Sequence, residues 1–454
     1  MKKLLSIMIT FILVFSMTAV LAEPTVIDGL ASRKIKINEA GLNPSADEMI
    51  AQNISPTTGR NLVELAAEVP EEFSGMAATG YYQPIMVQIS NAGGGANVNS
   101  KGQPLTAPIN LQYADVVYEA CQANSKTGGS LTRLTAVFSD IVPNYVGFVR
   151  STRLTHCRLR QEWNSAFVTS GYSAADVPGE WKELINPNME DKKNDYDSYM
   201  NPYSTSVGSE TKPGLIYVQN YSSKFYTKYM FHMTGISDGN DHVYQLANIL
   251  SGVYPKYYTF DKNSKEYKYY APHNHTWKFT DEVPAGGDDA EVIYIQYGHE
   301  EKTDSRLEYD AASNTYYRYV WNGKQDVLYR VQQLYSPEIK KKNVNGSMLP
   351  MVFYQDRVFG DPITFSNVIV QGITMNWRGS ERPDPELVGT GNADYFMGGK
   401  HYKGVWKRKD NDSRTVFYGE DGNEIELQRG KTLIILMDYN SKGRQVQYDT
   451  AAQQ

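Results

Sequence analysis

The clearest chemistry in this chain lies in three arginines: Arg150 and Arg153, three residues apart, and Arg133 upstream. If Ser151 opens a helix running through Gln161, the first two guanidinium groups converge beside backbone N–H groups that have no helical partner. Two guanidinium forks at a helix start suit a carboxylate or a phosphate. A competing arrangement sets Asp115 and Glu119 against them. On a strand Asp115, Val117 and Glu119 share one face, so either carboxylate is able to neutralise the arginines in a buried network. The two arrangements overlap, because a network at a strand end beside the loop Asn91–Gly95 also lines a pocket. The candidate ligand-binding residues are therefore Arg150, Arg153, Arg133, Asn91, Asp115 and Glu119.

Other constellations carry less. Asn91-Ala92-Gly93-Gly94-Gly95 lacks the Lys-Ser/Thr of a phosphate-cradling loop and the spacing of a dinucleotide fingerprint, and reads as a glycine exit from a strand. His273-Asn274-His275 has no further ligand at recognisable spacing, so neither a metal nor another cofactor is expected. His156 beside Cys157 is no catalytic pair, since adjacent residues point apart on helix or strand. Ser151 and Ser170 sit in no Gly-x-Ser-x-Gly elbow. No catalytic residues are assigned. Trp406 with Tyr402, and Tyr316, Tyr317, Tyr319 with Trp321, offer stacking surface for glycans, although alternation sends half of them to the core.

The elements that position these residues follow from apolar runs. Ile85–Ile89 is a buried strand between Pro84 and the glycine loop; Asp115–Ala120, Leu134–Phe138, Tyr145–Val149 and Phe167–Gly171 read the same way. Asp241–Ser251 carries a helical spacing through Val243, Leu246, Ile249 and Leu250. Leu62–Glu68 makes a short helix ended by Pro70. Beyond residue 262 the pattern is strands and hairpins, including Ala290–Tyr297, Arg306–Asp310, Tyr316–Trp321 closed by Asn322-Gly323, Gly404–Arg408 and Leu433–Leu436. The expected fold is mixed α+β or α/β, an N-terminal mixed-sheet domain over 55–262 followed by a mainly β domain over 263–440. A leader (23–54) and a tail (441–454) flank them.

Hydrophobic residues make up 41% of the 454 and charged residues 21%, a balance that sustains large cores. The net charge of -6 gives no cationic footprint for nucleic acid or anionic lipid. Tyr, at 34 copies against 15 Phe, suits half-exposed strands.

Met1-Lys2-Lys3, the uncharged apolar stretch Leu4–Leu21 and the small residues Val20 and Ala22 form a secretory pattern, with cleavage expected after Ala22. A run of that length also just spans a bilayer, so retention as an anchor is the alternative. No transmembrane segment is expected after cleavage. No Cys stands near the site for lipid attachment. Cys121 and Cys157 are the only cysteines, and either a disulfide or two thiols suits an oxidising compartment.

Several segments resemble the YerB-like bacterial envelope proteins, a two-domain family of uncharacterised function. In the first half they are Ser55–Gly59, Gln83–Asn91, Ala114–Glu119, Leu131–Arg133 and Gly147–Arg153. In the second they are Tyr309-Asp310, Asn367–Val370, Gly389–Gly391, Gly404–Arg408, Phe417-Tyr418, Asp421-Gly422 and Gly430–Thr432. The resemblance implies an extracytoplasmic, envelope setting; its lipoprotein members carry an anchoring Cys that this chain lacks. The family brings no established catalytic residues. The expectation is an exported binding module for a wall component, a small anionic ligand or an envelope protein. The alternatives are a wall-active hydrolase or transferase using carboxylates such as Asp115 and Glu119, and a structural partner in an envelope complex.

Overall fold

A computed structural model describes residues 23–39, 43–71, 73–91, 108–122, 132–150, 152–163, 165–169, 215–217, 230–233, 242–244, 246, 258–261, 266–269, 276–298, 305–321, 328–330, 332–335, 340–344, 347–352, 358–377, 383–411 and 413–450. The segment 1–22, Gly93–Gly95, Ser151, His273 and His275, and the Asn322-Gly323 turn lie outside the described residues, as does the side chain of Cys157. No described helix is long and apolar enough to cross a membrane.

The strands used below are, in chain order, β1 (Thr25–Val26), β2 (Ile85–Ser90), β3 (Val116–Cys121), β4 (Thr132–Phe138), β5 (Ala166–Thr169), β6 (Leu215–Tyr217), β7 (Val292–Tyr297), β8 (Ser305–Asp310) and β9 (Thr315–Trp321). They continue with β10 (Asn367–Gly372), β11 (Gly389–Met397), β12 (Lys400–Arg408), β13 (Val416–Gly419), β14 (Thr432–Met437) and β15 (Arg444–Asp449). The helices are α1 (Ala46–Ala51), α2 (Leu62–Glu68), α3 (Met76–Thr79) and α4 (Leu154–Trp163).

One large sheet runs β12-β11-β10-β14-β3-β4-β2-β5-β6, with β13 and the short strand Asp288–Asp289 beside β12. The fold class is as expected, a mixed-sheet N-terminal part and a mainly β C-terminal part. Strands from the two nevertheless share this sheet: β14 lies between β3 and β10 and is parallel to both. The central strands β2, β3, β4 and β14 are buried along their whole length, because both faces of the sheet are covered. Hence they read as continuous apolar runs rather than alternating ones.

On one face Val87, Val117, Leu134, Val368 and Ile435 pack against Ile293, Ile295, Leu307 and Val446 of a second sheet, ordered β1-β15-β7-β8-β9. On the other face Met86, Tyr118, Val137 and Ile434 meet Leu159 and Trp163 of α4 and Trp277. Apolar burial on both faces holds the sheet rigid, and its edges then fix the positions of whatever side chains flank the strands.

Three expectations change. The tail expected over 441–454 contains β15, paired with β7 from Val292↔Asp449 to Tyr297↔Arg444. Its alternation of buried Arg444, Val446 and Tyr448 with half-exposed Gln445, Gln447 and Asp449 hid a strand inside a polar composition. The leader contains α1, with a capping box between Ser45 and Glu48, and β1, paired with β15. Within the expected helix 241–251, His242–Tyr244 is a strand paired with Met230–Met233 and Val146-Gly147, where cross-strand hydrogen bonding outweighs a short helical spacing; Leu246 is helical, and the other residues of that span lie outside the described residues.

Candidate functional site

Strand register assembles a charged cluster where three central strands meet at one end. The parallel strands β3 and β14 start together, Val116 opposite Thr432, so the residues just before them, Asp115 and Lys431, arrive at the same edge. Antiparallel β4 ends there, Val137 opposite Val116, and delivers Ser139 and Asp140 to the same place. Asp115 Oδ2 accepts the backbone N–H groups of Ser139 and Asp140, at 2.6 and 2.9 Å.

The turn Ser55–Gly59 caps the cluster. Ser55 Oγ accepts the N–H groups of Thr57 and Thr58 at 3.1 and 3.0 Å, which folds the turn on itself. Its hydroxyl and that of Thr58 are thereby aimed at Asp140, donating at 2.6 and 2.5 Å. Gly59, at φ +68, closes the turn, and a Cβ there would meet the Phe279 ring at 2.4 Å. Gly430, at φ +134, donates its N–H to Thr58 O at 2.8 Å, while Arg429 donates to Gly59 O. The segments Ser55–Gly59 and Gly430–Thr432 are therefore docked on each other, with Asp115 and Asp140 beneath.

These residues line a cavity of ≈ 290 Å³. Thr58, Arg60, Asp115, Asp140 and Lys431 form its polar side, and Leu65, Tyr113, Ile141 and Pro362 its apolar side. Arg60 reaches Glu68 of α2 at 2.6 Å. Lys431 Nζ donates to Gln112 O at 3.1 Å.

Electrostatics follow from burial. Asp115 is pushed well above the carboxylate range, first by burial and then by the charge of Asp140; the two backbone N–H groups and Arg60 oppose this. Burial raises Asp140 too, against the hydroxyls of Ser55 and Thr58 and the charge of Arg60. Two carboxyls this close do not both ionise readily, and both are shifted toward their protonated forms, Asp115 the more strongly. Lys431 is pushed down to about 8, by burial and then by Arg60, against the pull of Asp115. Asp115 Oδ1 makes no hydrogen bond to described residues, and Asp115 lines the cavity.

The six residues singled out from sequence fall in three places. Asp115 belongs to the cavity. Glu119 and Asn91 lie at the other end of β3, on the face toward the second sheet. Glu119 is fully buried; its Oε2 accepts from Arg318 at 3.0 Å, and its Oε1 from Asn91 and Thr132 at 2.8 and 2.9 Å. Arg133, Arg150 and Arg153 gather on the opposite face around His156, beside the start of α4. Arg153 N donates to His156 Nδ1 at 2.8 Å, and its guanidinium to Thr152 O at 2.8 Å. Burial, then Arg133 and Arg153, depresses the His156 pKa well below its usual value. Burial, then Arg153, lowers that of Arg150.

Sequence reasoning missed Arg60, Asp140, Lys431 and Arg318. Two of these had a signal: Lys431 stands inside Gly430–Thr432, and Arg60 directly follows Ser55–Gly59. Cys121 is buried, and Arg444 donates to its Sγ at 3.0 Å. Trp406 is 3% exposed, so little of its ring is open to a ligand. Among the described residues no group of three or more His, Cys, Asp or Glu side chains is placed to hold a metal ion.

Comparison with known families matches residues 74–220 to the N-terminal domain, and residues 352–434 to the C-terminal domain, of "Protein of unknown function (DUF3048)", together just over half of the chain. Asp115 and Asp140 lie in the first span and Lys431 in the second. Among solved structures, the YerB protein of Bacillus subtilis is similar at a TM-score of 0.50 and 17% identity, over 86% of this chain and 98% of that one, a likeness of fold. Comparison with curated proteins finds no match.

Proposed function

Because the chain belongs to the DUF3048 family, a YerB-like, two-domain family of unknown function, we propose a reading that starts from its own residues: an exported binding protein for a small anionic ligand. The ligand occupies the cavity formed by Arg60, Asp115, Asp140 and Lys431. One observation carries this. A lysine pushed down to about 8 and a carboxyl pushed well above the carboxylate range face one cavity. Both groups are destabilised by the folded protein in their charged forms, and strained titratable groups lining a pocket are the usual mark of a site. The cavity also draws on both family domains, so it forms only when the two halves of the chain have joined their sheet.

Export is supported by the residues Met1–Ala22, and it sets the ligand among wall components, free anions or other envelope molecules. A hydrolase working through Asp115 and Glu119 is less favoured. Four strand residues, about 13 Å, separate them, and Glu119 is closed off by Arg318, Asn91 and Thr132.

Thermal unfolding tests the binding. At matched ionic strength, replacing chloride by acetate or phosphate raises Tm of the wild-type protein through ligand linkage, and leaves Lys431→Met unmoved. If neither anion shifts the wild type, the reading is lost. Fractionation of cells carrying a C-terminally tagged chain tests export: the expected product lies outside the cytoplasm with residues 1–22 removed, and a full-length cytoplasmic chain contradicts it.

A further inference from the structure

We infer that the anion is a monocarboxylate with a short apolar body, bound by a hydrogen bond from the carboxyl of Asp115 and by the ammonium of Lys431. This rests on the reading of the cavity as an anion site and names the chemical class it accepts.

The two oxygens of Asp115 differ. Oδ2 is occupied by two backbone N–H donors, so a proton retained by this carboxyl sits on Oδ1. Oδ1 has no partner among the described residues, and Asp115, only 4% exposed, lines the cavity. An O–H there opens into the cavity, where an acceptor bound in it completes the hydrogen bond. A carboxylate oxygen answers it with a short charge-assisted bond, of roughly 2.5–2.7 Å in such pairs. Lys431 has three ammonium protons and one identified acceptor, Gln112 O, and it lines the same cavity.

The lining selects a small anionic head on an apolar body. The titratable groups facing Asp115 and Lys431 are Asp140, Arg60, Glu68 and Tyr113. Arg60 pairs with Glu68, and Asp140 is held by the hydroxyls of Ser55 and Thr58. One carboxylate group answers the Asp115 donor and the Lys431 ammonium together. A phosphate has no apolar body to set against the rest of the lining. Leu65, Ile141 and Pro362 then give the ligand's body an apolar wall, in a volume at the small end for ligand pockets.

Titration calorimetry on the wild-type protein at pH 6.5 uses butyrate, benzoate and inorganic phosphate as probes. Butyrate and benzoate bind at least about tenfold more tightly than phosphate. Asp115→Asn, whose amide replaces the O–H donor and still accepts the two backbone N–H groups, stays within a few fold of wild type. Asp115→Ala loses about tenfold or more. A C-terminal dipeptide amide and the matching free dipeptide separate a peptide terminus from a small free acid as the source of the carboxylate: binding of the free dipeptide alone assigns a terminus, and binding of neither assigns a small acid. Phosphate preferred over both carboxylates overturns the inference and leaves anion binding standing. No binding of any anion removes both. Asp115→Asn falling as far as Asp115→Ala overturns the donor role. If Asp115→Ala fails to fold, the Asn variant and the phosphate comparison still decide.

Discussion

The two ends of β3 hold a buried carboxyl each, and they are solved in opposite ways. At the finishing end both oxygens of Glu119 are occupied, by Arg318, Asn91 and Thr132. At the starting end Asp115 has one oxygen occupied and one open, beside a lysine that burial pushes toward neutrality. A carboxylate matched on every side contributes to a unique packing of the two sheets and has nothing left to offer a ligand. A carboxyl matched on one side stores unused hydrogen-bonding capacity, which binding can draw on. The difference separates scaffold from site within one strand.

The comparison breaks first at Arg318. Arg318→Leu leaves the Glu119 carboxylate, 0% exposed, without its cation, and loses about 3–5 kcal/mol of stability. Urea unfolding measures it, and a loss under 1 kcal/mol would remove the contrast. Anion binding, if the variant is folded at low urea, stays at the wild-type level, because the cavity lies at the other end of the strand. Ser55→Ala comes next: it deletes a donor to Asp140 and costs about 1.5–3 kcal/mol, as expected for a hydrogen bond to a charged group. The same change leaves Asp140 harder to ionise and so weakens the repulsion that raises Asp115, which calorimetry registers as a changed pH dependence of binding. Asn61→Ala is the smallest. Asn61 caps α2 through the N–H groups of Val63 and Glu64, and its loss costs about 1 kcal/mol in the same urea experiment. Because α2 carries Leu65 and Glu68 into the cavity wall, binding weakens slightly as the helix start frays.

Much of the scaffold is legible in the chain itself. Ile85–Ile89, Asp115–Ala120 and Leu134–Phe138 are short apolar runs between turn signals, and they form β2, β3 and β4 within a residue or two. The helix expected after Ser151 is α4. What periodicity does not carry is which strands become neighbours. Nothing local to Thr432–Met437 says that it sits beside β3, more than three hundred residues earlier in the chain. Both the partial burial of Lys431 and the meeting of Asp115 with Asp140 depend on that pairing. Glu119 likewise looks available to Arg150 or Arg153, since they are close in sequence, whereas its partner Arg318 arrives from the second sheet. Of the site, Asp115 was visible as an acid at a strand start. Lys431 and Arg60 were visible only as parts of, or neighbours to, the glycine-bearing segments that carry the family resemblance.

Lys431→Met tests the central claim most directly, through stability and binding measured on the same sample. The folded protein holds the Lys431 pKa at about 8 against an ordinary value of 10.5. Between those values the unfolded chain binds more protons, so wild-type stability rises with pH across that window, and below pH 8 the full penalty of the buried charge persists. The variant should therefore be more stable than wild type at pH 7, by up to about 3 kcal/mol, should lack the rise between pH 8 and 10.5, and should no longer bind butyrate. A variant that is less stable at pH 7 and still binds butyrate as the wild type does would show Lys431 to be part of the scaffold, and would contradict the account.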